Sequence, residues 1–277
     1  MVRKILIVVE VTLILALFFY LRGVLRSSGF GDWQEPLFGA AILSSCLLFF
    51  VLPLTSLIVH RDPGVYGLTS ANLRRHVRLV LKAIAVVMPA TILFPVIAML
   101  GTDHQHWLGA SILALGFAAG GVVMLRYTRR TANIAEAQPS LSGFSGYVGL
   151  LIAGVGLCYL LQPISEVITR IIIVLIFVAF LEEFFFRGYV QTRLNGVFGK
   201  PYSLFNVNYG AGLISAAIIF GLFHPLTVPN EAPWAWALWT ATGGLIFGFL
   251  REKSGAVFTP ALVHGAILVP RVLFGGS

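Results

Sequence analysis

The chain alternates long apolar runs with short polar breaks, and the runs have the length of membrane spans. A helix rising about 1.5 Å per residue crosses a hydrocarbon core in roughly 20 residues. Apolar runs near that length fall at 5–25, 37–59, 79–100, 107–127, 145–162, 166–187, 209–224, 234–250 and 256–273. The pattern predicts an all-α, polytopic helical membrane protein with eight or nine transmembrane helices. It shows no fixed-period repeat and no second soluble domain.

Composition agrees. Of 277 residues, 58% are hydrophobic and 11% charged, against about 25% charged in a soluble domain. That much apolar surface cannot be hidden in a water-soluble fold of this length. Disorder is excluded for the same reason. The two cysteines, Cys46 and Cys158, lie far apart in apolar runs. They read as packing residues rather than a disulfide or a metal pair.

The net charge of +8 suggests nucleic acid in a soluble domain. Here most Lys and Arg fall in breaks between apolar runs, where membrane topology explains them better and no nucleic-acid partner is expected. Arg61, Arg74, Arg75, Arg78 and Lys82 follow the second run, and Arg126, Arg129 and Arg130 follow the fourth. Arg193 and Lys200 follow the sixth, and Arg251 and Lys253 the eighth. The intervening breaks, Thr102 to His106, Gln162 to Glu166 and His224 to Pro233, hold no Lys or Arg. The alternation predicts a cytoplasmic N-terminus, with Arg22, Arg26 and Arg271 running against it. The N-terminal stretch lacks a small-x-small cleavage site, so it reads as a first span with Arg3 and Lys4 inside. The terminal Leu273-Phe274-Gly275-Gly276-Ser277 carries no retention signal. The expected location is a prokaryotic plasma membrane.

The first five runs, residues 1–165, hold Gly, Ser, Thr and Pro, ordinary in packed membrane helices. Glu10 is their exception; about two turns from Arg3 and Lys4, it reads as a packing or interfacial residue. Residues 166–277 read as a separate functional core, because ionisable groups inside spans are costly and mark function. Glu182 and Glu183 follow eleven apolar residues, Ile171 to Leu181. Neighbouring helix positions point about 100° apart, so the two carboxylates do different work. Glu183 and Arg187 stand at i, i+4 and can neutralise each other, leaving Glu182 facing elsewhere. Phe220 and His224 end one apolar run before Pro225, and His264 lies inside the last. Each site alone has a bland reading: a salt bridge at a helix end, an interfacial histidine, a core histidine.

Depth joins them. If one helix ends near Asn195 and the next starts near Gly210, Glu182 and His224 both lie about 20 Å from the same side, and His264 about 12 Å. One carboxylate and two imidazoles support two chemistries. Glu182 can take a proton from water, with one histidine assisting and the other stabilising an oxyanion. Alternatively, Glu182, His224 and His264 are a zinc ligand set, although the H-E-x-x-H helix is absent.

At these positions the chain resembles the CPBP family of intramembrane proteases, which includes the Ras-converting CAAX prenyl endopeptidases and bacterial self-immunity proteins. Glu182, Glu183 and Arg187 match its E-E-x-x-x-R motif, Phe220 and His224 its F-x-x-x-H motif, and His264 its third-motif histidine. The resemblance covers roughly residues 170–270. It implies that Glu182 is the general base, that His224 assists it and that His264 belongs to the oxyanion site. Glu183, Arg187 and Phe220 are then supporting or substrate-positioning. No metal is implied as a requirement, with zinc the alternative. The implied partner is a membrane-anchored peptide or protein, either CAAX-like or bearing a C-terminal sorting tail. Leu268 departs from the family, which often has Asn there; Asn206 or Asn208 is a candidate replacement donor.

A non-catalytic scaffold or immunity factor using the same cavity is the competing reading, and Leu268 favours it. A proton-coupled transporter is disfavoured by the lack of paired broken helices. Asp103, His104 and His106 read as solvent-exposed loop residues. Trp107, Trp234, Trp236 and Trp239 read as interfacial aromatics, and Phe184 to Phe186 as packing against lipid and neighbouring helices.

Overall fold

A computed structural model describes residues 1–60, 66–69, 71–131, 133, 141–227 and 233–274. Arg61, the Arg271 side chain and the terminal Gly275-Gly276-Ser277 lie outside these residues. The described chain is a helical bundle with one small hairpin. Helix α1 is Val2–Ser27. After a five-residue turn of helix at Gln34–Phe38, α2 runs over residues 42–60, with a π turn over Leu47–Val51. Helix α3 spans Leu73–Met99 and tightens to a 3₁₀ turn at Met88–Ile92, where Pro89 removes a backbone donor.

Helix α4 is Trp107–Thr128 and α5 is Leu141–Leu161. Helix α6 covers residues 166–198, opening under the Ser165 cap. A tight hairpin follows, β1 Tyr202–Leu204 against β2 Val207–Tyr209. Helices α7, Ala211–Thr227, and α8, Ala235–Ser254, pack closely. Gly255 takes φ +69° to end α8, a left-handed cap that glycine adopts without strain, and α9 is Phe258–Phe274.

Four helices are long and apolar enough to cross a membrane by length and composition: α1, α3, α4 and Gly143–Leu161 within α5. Ile42–Ser56, Ala211–Thr227 and Phe258–Pro270 are shorter apolar helices. The chain is therefore an integral membrane protein rich in helix.

Helix α6 is longer than its apolar run because its polar half stays inside the bundle. Phe184 to Gln191 are all buried. Phe184, Phe185 and Phe186 pack on protein rather than lipid: Phe185 meets Phe18 and Phe49, and Phe186 meets Phe220 and Phe223. Three rungs tie α6 to α8, which run parallel. Arg187 donates to the Gly244 carbonyl at 3.1 Å and Gln191 to the Gly248 carbonyl at 3.1 Å. Asn195 donates to Glu252 at 2.6 Å. In a low-dielectric interior these donated hydrogen bonds fix register, because a slipped helix leaves each donor unpaired.

Several polar residues read as packing, interfacial or loop residues tie the bundle together. Glu10 does not pair with Arg3 or Lys4. Its Oε1 accepts from Arg193 Nε at 3.0 Å, Tyr189 OH at 3.0 Å and Ser56 Oγ at 2.9 Å, and its Oε2 pairs with Arg193 Nη2. The carboxylate thus joins α1, α2 and α6. Lys253 is buried, donating to the Thr131 carbonyl at 2.9 Å. The Arg251 guanidinium fills the space beside Gly67, where a Cβ would meet it at 2.8 Å. Arg74, Arg75, Arg78 and Lys82 stand on the first turns of α3 rather than in a loop. Both cysteines are free.

Candidate active site

The site is built on the middle of α6, where π turns over Ile173–Phe180 and Phe184–Gln191 flank Leu181–Glu183. Interruptions of this kind recur at functional positions because they turn side chains off the regular helical face. The two glutamates do separate, as adjacent helix positions require. Glu183 is fully buried and accepts from Arg187 Nη1 at 2.9 Å. Arg187, also fully buried, sits over the Phe220 ring at 4.3 Å and the Phe247 ring at 5.3 Å. A guanidinium sealed among aromatic faces and one carboxylate is compensated; removing either member leaves an unpaired charge in apolar surroundings.

His264 reaches this pair from α9. Its Nδ1 lies 3.0 Å from Glu183 Oε1, and its ring stacks on Phe247 at 4.7 Å. His224 hangs from the last turn of α7, its Nδ1 2.8 Å from the Phe220 carbonyl. Because that oxygen only accepts, Nδ1 carries the proton and Nε2 of the neutral ring holds the lone pair. Phe220 organises the motif, its ring lying 4.7 Å from His224 and 5.8 Å from His264. Pro225 cannot donate to the Gly221 carbonyl, and Thr240 Oγ1 of α8 lies 3.4 Å from it.

Glu182 lies within electrostatic reach of His264 and Arg187 but is not tied into the cluster by a hydrogen bond at Oε2. Its Oε2 is buried with no hydrogen-bond partner among the described residues. It stands on the wall of a cavity of about 520 Å³, together with Phe18, Arg22, Leu48, Phe49 and Phe223. Phe223, the residue before His224 in α7, lines the cavity with Glu182, while His224 is not among its lining residues.

The expectations divide accordingly. Glu183, Arg187, Phe220 and His264 form one connected cluster that His224 joins through Phe220, while Glu182 lines the cavity. His264 contacts Glu183 rather than Glu182. As placed, no three His, Cys, Asp or Glu among the described residues are grouped to hold a metal ion. Both imidazoles present Nδ1 to an oxygen acceptor, an orientation that suits a metal ligand as well as a proton carrier. The donor set is nevertheless not assembled for a metal.

Asn206 and Asn208, the candidate replacement donors, are placed far from His224. They lie in and beside the hairpin turn, before the start of α7, and His224 is about 20 Å along that helix. Trp236 is a contact the sequence did not reveal, with its ring 5.3 Å from His224. It also meets His104 at 5.5 Å, so His104 is half-buried among aromatics rather than a free loop residue. His106 pairs with Asp103 at 3.0 Å on the surface.

Fold and site together define a helical membrane protein with carboxylates, imidazoles and a guanidinium buried in its bundle. Residues 164–269 match the family described as type II CAAX prenyl endopeptidase, Rce1-like. This is a CAAX protease family, and the matched segment holds every residue of the three motifs. The match supports protease activity in general. No curated protein and no solved structure matches the chain.

Proposed function

We propose that the chain is an intramembrane endopeptidase of glutamate type that cleaves a membrane-anchored peptide or protein. Glu182 takes a proton from water, whose oxygen adds to the scissile carbonyl carbon. The proton passes to the leaving amine as the C–N bond breaks, with His224 Nε2 assisting. His264 stabilises the oxyanion. Its Nδ1–H rests on Glu183, which holds the ring so that Nε2 is the atom turned to that oxygen. No step requires a metal. The carrying observation is that Glu182 Oε2 is buried, unpartnered and beside a cavity, while its neighbour Glu183 is neutralised. A structural carboxylate at that depth would be paired as Glu183 is.

The bundle spans the membrane eight or nine times with a cytoplasmic N-terminus, and the membrane is a prokaryotic plasma membrane. The substrate is CAAX-like or carries a C-terminal sorting tail. The test compares membranes holding wild type and Glu182→Gln at matched levels by mapping peptide termini with mass spectrometry. Termini that vanish in the variant establish the protease. Identical profiles favour the second reading, a scaffold or immunity factor, for which Leu268 in place of the family's Asn is the supporting observation.

A further inference from the structure

We propose that the cavity beside Glu182 opens on the extracytoplasmic face, so that the scissile bond is presented from outside the cell. This rests on the endopeptidase reading and narrows its substrate to peptides exposed at the outer surface.

The argument begins with the two ends of the bundle. Contacts gather the basic segments at one end. The Lys4 ammonium lies over Phe198 at 5.4 Å, which brings the start of α1 to the end of α6. Lys253 reaches the Thr131 carbonyl at 2.9 Å, which brings the end of α8 beside the segment that follows α4. Asn133 donates to the Asn206 carbonyl at 3.0 Å, adding the hairpin. Most of the chain's Lys and Arg fall at this end, which the positive-inside rule assigns to the cytoplasm. The other end carries Asp32, Glu35, Asp103 and Glu166, with Arg170 paired to Glu166.

The cavity belongs to the second end. Its rim is Arg26, Asp32, Glu35 and Thr227, from the end of α1, the following turn and the last residue of α7; Glu182 lies on its wall. None of its lining residues comes from the basic end. Below Glu182 the way to the cytoplasm is filled: Arg187, Tyr189, Gln191 and Asn195 are buried, and the rungs to Gly244, Gly248 and Glu252 close the α6–α8 seam. Arg22 and Arg26, two of the three cations that run against the charge asymmetry, both stand on the cavity wall. Their place there accounts for positive charge at an end otherwise poor in it.

The test places single cysteines in a Cys46→Ser, Cys158→Ser background: Glu35→Cys at the rim and Arg129→Cys at the basic end. Intact cells are treated with a membrane-impermeant maleimide, and a permeant maleimide confirms that both thiols react in the folded protein. Labelling of Glu35→Cys in intact cells, and of Arg129→Cys only after permeabilisation, is the expected result. The reverse, or labelling of both in intact cells, overturns the orientation. Cleavage is read separately. Termini lost in Glu182→Gln are expected on extracytoplasmic segments. Losses confined to cytoplasmic segments overturn the proposal while keeping the protease, and no losses refute the endopeptidase reading and leave orientation to the labelling.

Discussion

His264 Nδ1 sits 3.0 Å from Glu183 Oε1, so the third-motif histidine is anchored by the carboxylate that Arg187 neutralises, and Oε2 of its neighbour Glu182 is left without a hydrogen-bond partner among the described residues. Two adjacent glutamates therefore carry opposite consequences. Replacing Glu183 with Leu strands a fully buried guanidinium, and loss of one partner of such a pair costs about 3–5 kcal/mol. Thermal unfolding in detergent should show a large fall in Tm for Glu183→Leu. Glu182→Gln should keep the wild-type Tm and lose at least about 100-fold in cleavage rate. Equal Tm losses in the two variants would place both glutamates in the packing.

Glu10 and Arg193 join the first helix to the functional core through the two carboxylate oxygens. Both are partly exposed, so screening reduces their coupling. A double-mutant cycle with Glu10→Gln and Arg193→Met should return a coupling of about 0.5–3 kcal/mol, read from denaturant unfolding in mixed micelles. Additive effects would show that the Glu10–Arg193 pair adds nothing to the hold on α1 beyond its other contacts, among them Phe18 against Phe185 and Phe223.

Helix existence was legible because apolar runs of span length have few alternatives in lipid. The motif spacing was legible too: i, i+4 placed Glu183 on Arg187, and Phe220 beneath His224. What sequence could not give was partnership across elements. Glu10 reads in sequence as a packing or interfacial residue because its nearest cations are Arg3 and Lys4, while Arg193, which it pairs with, is 183 positions away. Lys253 and Arg251 looked like topology charges, yet their aliphatic stems pack and their heads find backbone and hydroxyl acceptors. The depth argument placed Glu182, His224 and His264 together without telling which carboxylate His264 would meet. One helix step decides that, and the step depends on the π turns flanking the glutamates.

The crossing of α7 and α8 is tight enough to position His224. A Cβ on Gly221 would come within 2.6 Å of the Ala237 carbonyl and 2.6 Å of the Ala241 Cβ. A backbone carbonyl cannot rotate away, so α7 must move outward. Gly221→Val is expected to lower kcat by at least about 10-fold, since a displacement of about 1 Å at a catalytic group has such effects. KM should change little. Gly146→Ala, where a Cβ meets nothing within 4 Å, should leave both unchanged. Equal losses in the two variants would show that the effect is not specific to the α7–α8 crossing.

Leu268 follows His264 by one helical turn and is half-buried. Residues four apart share a helix face, so an Asn there would place an amide donor beside the oxyanion that His264 is proposed to hold. A missing donor of this kind costs about 10²–10³ in rate, and Asn206 and Asn208 lie in the hairpin before α7, about 20 Å of helix from His224. Leu268→Asn is therefore expected to raise kcat toward that factor, while a new buried amide lowers stability by about 1–3 kcal/mol. Single-turnover cleavage and thermal unfolding of the same preparation separate the two effects. A faster enzyme with a lower Tm supports the oxyanion role of this face. A lower Tm with unchanged kcat means that His264 carries the oxyanion without help from position 268, and that the departure from the family's Asn costs the enzyme nothing.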